Sequence, residues 1–285
     1  ALSTTNMDFN WGWSEGVYLA QKPVITDSDN IILNIDTELG GFSLGNQAIV
    51  SNDIMEGNPN SVLCRINSSG EVSFIQYLGH LLYIHVANNQ EDIFISGSTD
   101  TQPLENNNLI PPSYEYAFFQ KLDSNGIHQF TNYIYAIDSS DNYLSSFWPH
   151  SKNIVSINNS LFCEITMSGY DVFSKIVITN TFDLLDSLDV SNFIQYGNQG
   201  DMRVIIKFST SGDVLNYYDN AVVKAPTEVF SNHLLNITGD TIFELDTANL
   251  NVIGTHIYPG LTDVQIDDDK MIISLDSTML IVDTN

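Results

Sequence analysis

Six histidines, three tryptophans and 35 carboxylates are the groups in this 285-residue chain that could do chemistry, and their spacing narrows what that chemistry is. His80, His85, His128, His150, His233 and His256 form no H-x-x-x-H or H-E-x-x-H pair. A helical zinc site, which needs two imidazoles one turn apart on one face, is therefore not encoded. His85 and His128 lie inside strand-like runs and read as sheet residues. Trp148 and His150, in Phe147-Trp148-Pro149-His150, read as an aromatic loop facing a groove. A tryptophan there could stack on a ligand while the imidazole hydrogen-bonds it, so these two are the ligand-binding candidates. Acid-rich turns occur at Asp27 and Asp29, at Asp138 and Asp141, and over Asp267–Asp269. None extends to the alternating pattern that gathers about six to eight oxygens around Ca²⁺, so no metal ligand is assigned. No cofactor is expected either; Ca²⁺ is the one ion the acidic charge would attract. Acid–base catalysis needs two carboxylates facing each other across a pocket, and nothing selects a pair. No G-x-S-x-G, phosphate-cradling glycine loop or Ser-His-Asp order stands out. No catalytic residue is assigned, and the reading leans away from an enzyme.

Charge excludes more than the motifs do. Nine basic residues face 35 acidic ones, a formal net charge of −26. Such a polyanion repels phosphate backbones and anionic headgroups, which argues against a nucleic-acid partner. No apolar run is long enough for a helical membrane span. The charge keeps the chain soluble, or draws it to a basic partner. Cys64 and Cys163 sit in separate apolar segments and are expected to be unpaired and buried, as small hydrophobes.

These side chains must be held by strands. One phrase recurs: an apolar run, a charged residue, an apolar residue, a turn, then another strand. It reads Val62-Leu63-Cys64-Arg65-Ile66-Asn67-Ser68-Ser69-Gly70, then Phe118-Phe119-Gln120-Lys121-Leu122-Asp123-Ser124-Asn125-Gly126, then Val204-Ile205-Ile206-Lys207-Phe208-Ser209-Thr210-Ser211-Gly212. Weaker copies lie at Ile242–Thr247 and Met279–Thr284. A strand–turn–strand unit repeated at intervals of tens of residues predicts an all-β fold, a β-propeller of antiparallel four-stranded blades. Helical periodicity is nearly absent; its best trace, Phe182 to Phe193, also fits a period of two.

The phrases divide residues 1–285 into one domain with five blades, or six if an insertion at about 170–201 forms its own sheet; seven is the outer bound. The chain stops at a third strand, while Phe9, Trp11 and Trp13 alternate with small or polar residues near the start. Unpaired edges invite association, so the N-terminal strand is expected to pair beside the last blade and close the ring.

Within residues 82–135, Asp92-Ile93-Phe94-Ile95-Ser96-Gly97-Ser98-Thr99-Asp100 followed by Tyr116-Ala117-Phe118-Phe119-Gln120-Lys121-Leu122-Asp123-Ser124-Asn125-Gly126 resembles the β-propeller repeat of bacterial secreted and cell-surface proteins. The likeness is fair over 23–78 and 153–218 and weak beyond. Repeat length varies more here, and Phe74 and Phe130 stand where that family has a tryptophan. The resemblance implies a propeller that is exported to the periplasm, cell surface or medium, in the manner of proteins of the Bacteroidota. Such proteins often append a C-terminal type IX secretion domain; none is seen in this sequence, and one would be expected to have been removed.

The functional expectation is a non-enzymatic interaction module, a monomer within a larger complex, as partner or cargo of a bacterial secretion or surface machine. Loops Gly41 to Pro59, Thr101 to Ser113 and Tyr170 to Asp201 would form its recognition surface, the first two emerging on one face. The alternative is a glycan-binding or glycan-active propeller that uses its central funnel.

Overall fold

In the computed structural model the repeated phrase is one turn built three times. Asn67 Oδ1 accepts from the backbone N–H of Ser69 at 3.0 Å and of Glu71 at 2.9 Å. Asp123 Oδ1 accepts in the same way from Asn125 at 2.8 Å and Ile127 at 2.9 Å, and Ser209 Oγ from Ser211 at 3.2 Å and Asp213 at 3.0 Å. A short polar side chain thus replaces a backbone acceptor, which is why Asn, Asp and Ser share this position. Gly70, Gly126 and Gly212 close the turns at φ of 86°, 81° and 94°, a conformation that side chains disfavour. A fourth version over Asp246–Asn251 is one residue longer and places Leu250 at φ 59°.

The structure describes residues 17–19, 23–26, 28–37, 42–44, 47–49, 60–79, 82–99, 116–137, 140, 147–169, 175–180, 184–189, 200–220, 228–230, 233–267 and 270–283. Among them all regular structure is β, and every ladder is antiparallel. In sheet 1, β1 (Val17–Leu19) and β2 (Val24–Ile25) share one side of β3 (Ile31–Thr37). A hairpin of β4 (Phe42–Leu44) and β5 (Gln47–Ile49) intervenes before β6 (Asn60–Ile66) and β7 (Val72–Gly79) complete that sheet. Sheet 2 takes β8 (Leu82–Asn89), β9 (Asp92–Thr99), β10 (Tyr116–Leu122) and β11 (His128–Ile137) in chain order. Sheet 3 takes β12 (Phe147–Ile157) and β13 (Ser160–Gly169). Two strands of the insertion, β14 (Lys175–Thr179) and β15 (Leu184–Asp189), come next in the chain, and sheet 3 then resumes with β16 (Gly200–Ser209) and β17 (Val214–Asn220). Sheet 4 is β18 (Glu228–Phe230), β19 (His233–Thr238), β20 (Thr241–Leu245) and β21 (Val252–Ile257). Sheet 5 is β22 (Leu261–Asp267), β23 (Lys270–Leu275) and β24 (Met279–Asp283).

The insertion makes no sheet of its own. β14 pairs with β11, with Ile178 opposite Ile134, and β15 pairs with β14, so sheet 2 grows to six strands. The trace of helical periodicity at 182–193 is a strand over 184–189. Ile176 and Ile178 are fully buried on β14, whose free edge needs a partner, and Leu188 opposite Ile176 covers it. Edge pairing outweighs a weak local preference.

The sheets stack face to face in chain order. Ile32 and Leu63 of sheet 1 share a core with Ile93, Ile95 and Phe118 of sheet 2. Phe94 and Phe119 of sheet 2 share the next with Cys163, Ile206 and Phe208 of sheet 3. Further clusters join Phe162 to Leu234 and Leu245, and Ile237 to Met271 and Ile273. The strands β2, β8, β12, β18 and β22 run past one another in that succession. Val17 to Leu19 pair with Thr37 to Ile35 in sheet 1, and the aromatic stretch Phe9–Trp13 lies outside the described residues. Cys64 and Cys163 are buried in different sheets, and burial pushes both thiols up to about 12.

Candidate functional site

At one end of the sheets the charged residue of each phrase reaches the turn of the next. Arg65 Nη1 donates to the Ser124 carbonyl at 2.6 Å, Lys121 Nζ to that of Thr210 at 3.2 Å, and Lys207 Nζ to that of Ala248 at 2.9 Å. Arg65 also pairs with Glu91, and Lys121 with Asp92 at 2.7 Å. The Ser28 hydroxyl, and after it the Arg65 guanidinium, hold the Glu91 carboxyl below the usual range. Lys121 and Lys207 lie 5.5 Å and 5.9 Å from the ring centroids of Phe94 and Phe162. The strand after each turn adds a second contact. Phe74 covers Gly126 and Phe130 covers Gly212, where a Cβ would stand 3.0 Å and 2.7 Å from the rings. Only glycine lets the aromatic close over the turn. In sheet 3 the same position is Asn216, whose Nδ2 donates to the Asn249 carbonyl at 2.6 Å. With Arg203 paired to buried Glu164, four of the nine basic residues are engaged in these internal contacts. The acid excess is left to the surface.

The series changes sign in sheet 4. Glu244 takes the position of Arg65, Lys121 and Lys207, and Gly254 stands across from it. Its carboxylate pairs with His233 Nδ1 and lies 3.6 Å from His256 Nε2, with both rings about half exposed. Spacing along the chain gave no hint of this pair, because the two imidazoles come from different strands. Among the described residues no group of three or more His, Cys, Asp or Glu is arranged to hold a metal ion.

The opposite end carries the long connections. β6, β10 and β16 each run into a stapled turn, so the segments that precede them, 38–59, 100–115 and 170–199, leave from the other end. All three join the second strand of a four-strand unit to the third, the expected placement for the first two. The third follows the same rule, although its β14 and β15 then cross to sheet 2. Sheets 4 and 5 make this connection with the short turns at 239–240 and 276–278.

Trp148 and His150 stand at this end, on a strand and not in a loop. The ladder pairs Phe147 with Gly169, Trp148 with Ser168 and His150 with Thr166, because β13 stays extended up to its long connection. His150 is half-buried. Beside them, between sheets 2 and 3, runs a seam of serines that no motif in the sequence announces. Ser96 and Ser151 hydroxyls lie 2.6 Å apart, Ser98 Oγ donates to the Pro149 carbonyl at 3.0 Å, and it accepts from Ser151 N–H at 3.1 Å. The signal available was the Ser96-Gly97-Ser98 run. The Phe118 ring packs so closely over Gly97 that a Cβ there would stand 2.6 Å from it.

His85 on β8 lies against this seam. Burial pushes its imidazole down to about 4; a hydrogen bond with the Ser151 backbone partly opposes the shift, and the Lys152 charge adds to it. The folded protein therefore keeps His85 neutral while the unfolded chain protonates it below about pH 6.5. Stability contributed by the neutral ring is present above that pH and lost as pH falls toward 4. Between pH 7 and 5 the expected loss is about 2 kcal/mol, from about 1.4 kcal/mol per pH unit. Urea unfolding of the parent and of His85→Gln at both pH values checks this; an equal pH dependence in the two proteins would remove His85 as its source.

No protein-family model matches the chain, and no curated protein matches it. Among solved structures, BamB from Moraxella catarrhalis is similar over 92% of this chain and 84% of its own, at 9% identity and a TM-score of 0.36. Apo AztD from Citrobacter koseri is similar over 92% and 82%, at 10% identity and a TM-score of 0.33. A protein of unknown function from Bacteroides caccae is similar over 78% and 86%, at 8% identity and a TM-score of 0.30. At this level of likeness the architecture rests on the strand pairing itself: an all-β chain of antiparallel sheets with three to six strands each.

Proposed function

We propose that this chain is an exported, non-enzymatic β-propeller of five blades, its ring closed by the N-terminal strand, that binds a protein partner through the end bearing the long connections. One observation carries the reading: segments 38–59, 100–115 and 170–199 all leave from one end, opposite the turns that staple sheet to sheet. Rigid strands hold that end still while its loops are free to vary in sequence, a general arrangement for recognition. The engagement of basic side chains inside the fold supports a partner of opposite charge and an association that weakens with salt. A partner or client role in a bacterial secretion or surface machine fits this, and the export it needs is implied by the repeat likeness at residues 82–135.

The test is affinity capture from the native source at low and high salt, using the parent and a variant whose residues 101–113 are replaced by a Gly-Asp turn. A stoichiometric protein lost at high salt and lost with the shortened loop is the expected result. Retention by the shortened protein would overturn the loop-end reading. Absence of any protein partner, with a glycan that raises the melting temperature, would replace it with the funnel alternative.

A further inference from the structure

We infer that residues Phe9–Ser14 form the missing fourth strand of sheet 5, pairing along β24 and laying an aromatic of the Phe9, Trp11, Trp13 row over Gly70. The inference deepens the closed-ring reading above and rests on it.

Chain order is the first argument. The outer strands β7, β11, β17 and β21 each lead directly to the first strand of the next sheet, by the steps Gly79 to Leu82, Ile137 to Phe147, Asn220 to Glu228 and Ile257 to Leu261. By the same rule a strand ending just before Val17, where β1 begins on the inner side of sheet 1, is the outer strand of a sheet preceding sheet 1. Among the described residues sheet 5 is the one stacked sheet without such a strand, since β24 pairs with β23 alone.

The edge of β24 supplies the second argument. Met279 and Ile281 are each 63% exposed and Leu280 is 40% exposed, so an apolar edge stands open on both faces. Backbone groups on an open edge seek a strand, and these side chains favour an apolar one.

A vacant seat supplies the third. Gly126 and Gly212 are covered by Phe74 and Phe130, each from the outer strand of the preceding sheet. Gly70 makes the same turn at the same backbone angle, yet among the described residues nothing lies within 4 Å of its Cβ position. The residue to cover it would come from the outer strand of the sheet before sheet 1. On β7, Phe74 and Leu78 face the next sheet while Ile75 and Tyr77 face their own, a period of two. Phe9, Trp11 and Trp13 carry that period in aromatic residues.

Disulfide trapping tests the pairing. Cysteine is placed in turn at Phe9, Asn10, Trp11 and Trp13, each together with Ile281→Cys, and the dilute proteins are oxidised mildly. Native Cys64 and Cys163 are buried and stay out of the reaction. The expected result is one intramolecular link, from one of the three aromatic positions and not from Asn10→Cys. Links formed only between chains would put a second copy on β24, and no link in chains that keep the parent scattering profile would also overturn the inference. Hydrogen exchange on the unmodified chain gives an independent reading. The β24 amides not bonded to β23 should be protected about 100-fold or more, and exchange at the free rate would overturn the pairing. Solution scattering separates this failure from that of the ring: a closed disc without the link sinks only the inference, an open arc sinks both.

Discussion

Phe119→Ala should cost the protein about 3–5 kcal/mol and lower its melting temperature by about 10 °C. Phe119 has no exposed surface and lies between two rings, Phe208 of sheet 3 at 4.4 Å and Phe94 of its own sheet at 5.9 Å, with interplanar angles of 15° and 7°. Phe130, the residue that covers Gly212, leans on it at 5.7 Å. Removing the ring opens a cavity where two sheets meet and also loosens the aromatic cover of the next turn. Local collapse cannot fill it, because both walls are ladders with fixed spacing. Chemical denaturation of parent, Phe119→Leu and Phe119→Ala measures the cost, with leucine intermediate. A loss below about 1 kcal/mol for alanine would mean that this interface is not packed as described.

Arg203→Met should cost a comparable amount by a different route. Glu164 on β13 is 1% exposed, and Arg203 Nη1 on β16 lies 3.0 Å from its Oε1. Without the guanidinium the carboxylate keeps its desolvation and loses its main compensation, a change that costs about 3–5 kcal/mol in buried pairs. The pair itself is not a large net stabiliser, so replacing both members should restore most of the loss. Urea midpoints for Arg203→Met, Glu164→Leu and the double variant form the cycle. If the double variant is as unstable as the sum of the singles, the two residues do not act as a pair.

The repeated turn was the most legible part of the chain. A polar residue with a short side chain, glycine three positions later and apolar runs on both sides define strand–turn–strand from local chemistry. Three copies of the same hydrogen bonds follow from three copies of the same residue types. The site was less legible. Trp148 and His150 read as a loop because Pro149 and the short local pattern favour one, yet the ladder with β13 continues through them. Proline is tolerated in a strand where its missing N–H breaks no needed bond, and its carbonyl here accepts from Ser98 of the neighbouring sheet. That donor lies 51 residues away in sequence, beyond the reach of any local pattern.

By itself, then, the sequence determined the periodic elements: where strands begin and end, which residue types build the turns, that two cysteines sit in apolar strands, and that the surface is acidic. These follow from period-two burial and from backbone preferences, which act over a few residues. Only the tertiary structure decided which charged residue meets which turn, that β14 and β15 extend sheet 2, that His233 and His256 converge on Glu244, and that a serine seam lies beside His85. Those are pairings between strands tens of residues apart, and their energies depend on burial and geometry that exist only once the sheets have stacked.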